Sequence, residues 1–179
     1  MGHKHSREEI LEGALATAFV DGLSRLSFGR VAKRLGIHDR IVVYYFATKD
    51  ELASEVLLAL GAQLRETLAP VVTAHMGDHR ALARAAWPVL ARPDADPVFA
   101  LFFEANGLAA TGLAPYGRVV PQLVEAWIDW AAELLEGDAD TRRAEAEAAI
   151  ALIDGLLLLR QLGGAAAADR AARRLGVTT

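Results

Sequence analysis

Apolar residues recur through almost the whole chain at the three-and-four spacing of an α-helix. Ile10, Leu11, Ala14, Leu15, Ala18 and Phe19 form the first such stripe. Ser6 and Glu9 precede it as Ser-x-x-Glu, a capping box that satisfies two orphan amides reciprocally. Gly22 closes the helix, because glycine accepts the backbone twist that ends one. A second helix starts at Ser27, carries Val31, Ala32 and Leu35 inward and stops at Gly36. A short third helix covers 39–45. Thr48 and Glu51 repeat the capping box and open a long fourth helix from Lys49 to about Ala69. Ile41–Phe46 is the only candidate strand, and the helix signals on both sides decide against it. Pro70, Gly77-Asp78, Pro93-Asp94, Gly112 to Pro115, Gly137-Asp138 and Gly163-Gly164 punctuate the remainder into further helices. Pro88 and Pro121 fall within helical patterns, where kinks or first-turn positions are expected. The pattern predicts an all-α chain of about nine helices.

A chain of 179 residues with 53% hydrophobic and 23% charged residues can bury a sizeable core. It has no cysteine, which excludes disulfides, a thiol nucleophile and a Cys-based zinc site. Its net charge of −4 argues against an all-over basic coat for nucleic acid. That charge is uneven: residues 1–52 sum to +1 and residues 53–179 to −5, which suggests two parts with different partners. Met1–Ser6 is read as a short basic tail with no apolar export segment behind it. The longest apolar stretch, Ile150–Leu159, is broken by Asp154 and is too short to span a bilayer. A cytoplasmic protein with no membrane partner is expected. No metal-ligand spacing, phosphate-cradling loop or nucleophile elbow occurs, so no enzyme, metal or cofactor is expected. His75 and His79 are separated by Gly77 and Asp78 and read as a surface loop.

The segment 27–46 carries the most information. A helix-turn-helix requires a small residue at the helix crossing, met by Ala32, and a glycine four residues later for a positive-φ turn, met by Gly36. It requires an apolar residue past the turn, Ile37, and apolar inner positions on both helices, here Val31, Leu35, Val42 and Tyr45. An ordinary αα-corner without DNA contact uses the same packing logic, so these positions alone leave both readings open. The run Leu26-Ser27-Phe28-Gly29-Arg30-Val31-Ala32-Lys33-Arg34-Leu35-Gly36-Ile37, followed by Val42-Val43-Tyr44-Tyr45-Phe46-Ala47-Thr48-Lys49-Asp50-Glu51-Leu52, resembles the DNA-binding domain of TetR-family transcriptional regulators. The close match covers about residues 8–52. Beyond it, only the length, the helicity and Asp154-Gly155-Leu156 resemble the family.

The resemblance implies an N-terminal three-helix helix-turn-helix domain, residues 1–48, followed by a helical ligand-binding and dimerisation domain, residues 49–179. It makes the third helix the recognition helix, with Asp39, Arg40 and Ile41 at base edges. Arg40 is the best base reader, since its fork matches guanine O6 and N7. Ser27, Gly29 and Arg30 fall where the family touches backbone or groove edge, and Tyr45 and Lys49 where it grips phosphate. His38 stands where many members have Ser or Thr; it is a poorer N-cap and a possible phosphate contact. Val43 stands where many have Tyr, and Tyr44 is the neighbour placed to substitute.

In the second part the resemblance implies a cavity for a small, largely apolar effector. Trp87, Phe99, Phe103, Tyr116 and Trp127 are candidates for its wall, and Glu104 for orienting a polar end; a plain core role explains each as well. The eighth helix is apolar on more than one face and must be buried. Ala151 and Gly155 allow close helix approach there, with Leu158 and Leu162 beside them, and Ala168 and Ala172 form a thin stripe on the last helix. The resemblance implies that these residues join two copies in a four-helix bundle. The function expected is a homodimeric, ligand-responsive repressor that binds a palindromic operator in double-stranded DNA and is released by a small molecule. The alternative is a small-molecule-binding helical module that has lost specific DNA binding, as His38 and Val43 would allow.

Overall fold

A computed structural model describes residues 5–178, so the basic tail Met1–Lys4 lies outside the described residues. Nine α-helices account for most of them: α1 (Arg7–Asp21), α2 (Phe28–Leu35), α3 (Asp39–Tyr45), α4 (Lys49–Leu68), α5 (His79–Leu90), α6 (Asp96–Ala110), α7 (Tyr116–Leu134), α8 (Ala139–Gly163) and α9 (Ala165–Arg174). A 3-10 turn at Pro93–Ala95 leads into α6. Among the described residues no helix is long and apolar enough to cross a membrane. The helices fall into two compact units, one holding the chain up to Gln63 with Leu101–Pro121, the other Leu64–Ala100 with Gln122–Thr179.

The first unit begins with the capping box the sequence predicts. The Glu9 amide donates to Ser6 Oγ at 3.1 Å, and the Ser6 amide donates to the Glu9 carboxylate at 2.9 Å. Ile10, Ala14 and Ala18 of α1 are fully buried with Leu26, Val31, Val42 and Phe46. Gly13 lies close against α2: a Cβ there would lie 2.7 Å from Leu35 Cδ2, so a larger residue requires the Leu35 side chain to move. Ser27 caps α2 by accepting from the Arg30 amide. Gly36 ends α2 at φ 68°, a left-handed conformation that glycine adopts without a Cβ penalty. The inner positions of α3 are Val42 and Phe46, both fully buried, and not Val42 and Tyr45 as expected. An i, i+4 pair lies on one helical face, and Tyr45 is rotated to its half-buried flank. Thr48 accepts from the Glu51 amide at 3.0 Å, while the Glu51 carboxylate accepts from Ala47 and not from the cap residue itself.

The second unit is centred on Leu82, Trp87, Leu90, Phe99, Leu156 and Leu157. Asp78 caps α5 by accepting from the Ala81 amide at 2.7 Å. His79 is the first residue of α5 and not part of a surface loop; its amide and its Nδ1 both meet the Glu145 carboxylate of α8, at 2.8 and 2.6 Å. Those hydrogen bonds hold the Glu145 carboxyl below its ordinary range. The rest of the loop is pinned, with Met76 paired to the end of α7 through Leu134 and Glu136. Pro88 and Pro121 sit inside α5 and α7. Arg160 of α8 grips Asp96 of α6 with two hydrogen bonds, 2.6 and 3.1 Å, and is itself buried. The alanine run Ala165–Ala168 forms the first turn of α9, consistent with the high helix propensity of alanine.

Candidate nucleic-acid interface

The turn at Gly36 carries the chain from α2 into α3, and Val42 and Phe46 are the fully buried residues on the inner side of α3. Its outer side is open: Asp39, Arg40, Val43 and Tyr44 are exposed, Tyr44 by 81%. Among the described residues Asp39, Arg40 and Lys49 have no salt-bridge partner. Arg40 therefore presents an unengaged guanidinium, with its rigid fork of donors, beside an exposed aromatic ring. Ile41 is half-buried and offers only an edge. His38 stands at the N-cap of α3 and makes no side-chain cap bond, as expected from its poor capping geometry. The aromatic ring of Tyr44 meets that of Tyr45 edge-on, with centroids 5.0 Å apart.

Three other candidates are already engaged. The Tyr45 hydroxyl donates to the His5 carbonyl at 2.5 Å, so it fastens the start of the chain to α3 and is not free for phosphate. Arg30 pairs with Asp21 of α1 at 3.0 Å. Both partners are partly exposed, and such a pair is weak enough to exchange for phosphate. Ser27 spends its oxygen on the α2 cap. Gly29 is exposed at the start of α2, with open space where a Cβ would stand.

The five candidate effector-wall residues and Glu104 divide evenly between the units. Trp87 and Phe99 are buried in the second, where Trp127 is half-buried with its ring 5.1 Å from the Arg65 guanidinium and edge-on to Trp130. Phe103, Glu104 and Tyr116 belong to the first. The Glu104 oxygens, expected at an effector's polar end, accept from the amides of Leu23 and Ser24 at 2.8 and 2.9 Å. The Tyr116 hydroxyl donates to the Leu23 carbonyl at 3.2 Å. Burial and then the charges of Glu104 and Asp50 push the Tyr116 phenol up to about 12. Sequence reasoning had no signal for these contacts, since their acceptors and donors are backbone groups some eighty residues away.

The interface residues also separate. Ala151, Gly155, Leu158 and Leu162 line one open face of α8, with Leu162 80% exposed and Leu159 beside it. Ala168 and Ala172 are fully buried, because α9 packs that stripe along its own α8. They close the chain's own core and are not available to a second copy. The outward side of α9 carries Arg170, Arg173 and Arg174 instead. Asp154, between these faces, has no hydrogen-bond or ion-pair partner among the described residues, and burial pushes its carboxyl up to about 6. No group of three or more His, Asp or Glu placed to hold a metal occurs among the described residues.

Comparison with known proteins agrees with this geometry. Residues 10–56 match the family of bacterial regulatory proteins described as the tetR family. No curated protein matches the chain. Among solved structures it is similar to a transcriptional regulator from Rhodococcus sp. Rha1, with 22% identity over 97% of this chain and 94% of that one, at a TM-score of 0.74. A TetR transcriptional regulator from Legionella pneumophila aligns at 21% identity over 98% and 97%, with a TM-score of 0.66. A regulator from Saccharomonospora viridis, solved in complex with choline, aligns at 21% identity over 94% and 92%, with a TM-score of 0.69.

Proposed function

From the match of residues 10–56 to the tetR family, we propose that the protein is a ligand-responsive transcriptional regulator, a repressor that binds a palindromic operator as a homodimer. The observation that carries the reading is the open outer side of α3. A short helix seated by two buried residues displays an unpaired Arg40 and an exposed Tyr44 past a left-handed glycine turn. In DNA, Arg40 reads a base edge, Tyr44 and Lys49 hold phosphate, and Arg30 exchanges Asp21 for phosphate.

The open apolar face of α8 supports a second copy as its cover. Small residues at 151 and 155 admit a close helix, and Leu158 and Leu162 add apolar area one and two turns on. The same face on a twofold-related copy meets itself, as an isologous interface requires. The dimer then presents two α3 helices to successive major grooves.

The body binds a small, largely apolar effector, and the choline held by one similar regulator supports a small-molecule site. Regulation is a population shift: the effector binds more tightly to a state whose heads do not match the operator. The test is selection from random duplexes at moderate salt, read by gel shift. A specific duplex retained by the folded protein is expected. A folded dimer that retains none would leave the effector-binding module as the reading and sink the regulator.

A further inference from the structure

The residue Leu23 lies at the corner between α1 and α2, and both of its backbone polar groups are held by distant side chains. Its amide donates to Glu104 of α6, and its carbonyl accepts from Tyr116 of α7. The next amide, Ser24, donates to the other Glu104 oxygen. A carboxylate taking two successive amides is a charge-assisted, two-point grip on the backbone itself. The corner is shaped to receive it. Gly22 stands at φ 84°, and a Cβ there would come within 3.1 Å of the same carboxylate. The Leu23 side chain is almost fully buried, so the corner cannot swing freely about the grip. Three residues beyond Ser24 stands Ser27, the cap that starts α2. Leu101–Pro121 clusters with the head in one unit, so the segments bearing Glu104 and Tyr116 are part of what the head is built on.

We propose that Glu104 and Tyr116 are positioning residues for DNA binding: they clasp the α1–α2 corner and so set the pose of α2 and α3. The head's operator affinity is then controlled from α6 and α7, and any displacement of those helices reaches the recognition helix through this corner. The inference rests on the reading of the protein as a DNA-binding regulator.

Coulomb's law gives the clasp a distinctive signature. Glu104 is an anion, so its removal should by charge alone strengthen binding to polyanionic DNA. A positioning role has the opposite sign. The experiment measures the full-length Glu104→Gln, Glu104→Ala and Tyr116→Phe proteins beside the parent. Fluorescence anisotropy follows a selected duplex and a random one across a salt series, and hydrogen exchange follows the Leu23 and Ser24 amides. Glu104→Ala is expected to speed exchange at both amides and to weaken the selected duplex roughly tenfold, with an unchanged salt slope and undiminished random-duplex binding. Tyr116→Phe, which keeps the ring and its packing, should weaken it less and in the same direction. Circular dichroism identifies a variant that fails to fold; if Glu104→Ala does, Glu104→Gln keeps the shape and decides the matter. Unchanged or tighter binding to the selected duplex in folded Glu104→Gln and Tyr116→Phe would overturn the clasp while the regulator stands. A parent protein that retains no duplex would take down both.

Discussion

Asp154 on α8 carries a cost that can be measured. Its carboxyl is drawn from water by the packing around α8, and among the described residues nothing donates to it or pairs with it. Burial raises its pKa from the ordinary 3.8 to about 6. Each unit of pKa corresponds to about 1.4 kcal/mol of preference for one protonation state. Ionising Asp154 at neutral pH therefore costs the folded chain on the order of 3 kcal/mol relative to the unfolded one. The sign follows from the direction of the change. A carboxyl whose folded pKa is raised contributes its stability in full below about pH 4, and loses it as the pH climbs through about 6. Asp154→Asn keeps the shape and removes the charge. The variant and parent should be nearly equal near pH 4, where both side chains are neutral, and the variant should lead by about 3 kcal/mol near pH 8. Urea unfolding at matched protein concentration across that range measures the difference, concentration being fixed because dimer formation would add to apparent stability. A difference that stays flat from acid to alkaline pH would refute the reasoning and show that Asp154 is solvated or paired.

Other outcomes follow from the same geometry. Leu162→Asp, which puts a charge on the most exposed leucine of the open α8 face, should turn a dimer into a folded monomer by sedimentation velocity without loss of helix. Ala172→Leu overfills the α8–α9 contact and should cost about 1–3 kcal/mol of stability in chemical denaturation, where a surface alanine would cost almost nothing. Arg40→Ala should cost about 1–3 kcal/mol of operator affinity and relax preference at one base position per half-site; a uniform loss across sequences would reduce Arg40 to a phosphate contact. Lys49→Ala should weaken all duplexes alike and lower the salt slope by about one unit.

The head is legible in the sequence because its determinants are local. Ser6 with Glu9, Ser27, Gly36 and the apolar spacing each act within a few residues, and capping and left-handed turns leave a mark at fixed offsets. Even there the inner position of α3 shifts by one, from Tyr45 to Phe46, since two adjacent aromatic residues are separated only by how they pack. The close fit of Gly13 against the Leu35 side chain is also invisible in sequence, where it reads as an ordinary glycine inside a helix. The body was legible as helices but not as partners. An apolar stripe states that a face is covered without stating by what, so Ala168 and Ala172 on α9 looked like an interface and proved to face their own α8. Glu104 looked like a ligand contact because a carboxylate among aromatics suggests one. Its actual partners are amides, which every residue possesses and no sequence motif announces.

In the proposed dimer, two copies of α3 read two half-sites one helical turn apart. Operator affinity as a function of half-site spacing tests it most directly. Inserting about five base pairs at the centre of the selected duplex turns one half-site to the opposite side of the DNA. Specific binding should then fall to the level of random duplex, and Arg40→Ala, tested on the uninterrupted duplex, should lose preference in both half-sites. Affinity indifferent to the insertion would contradict it, since each head would then be reading DNA on its own.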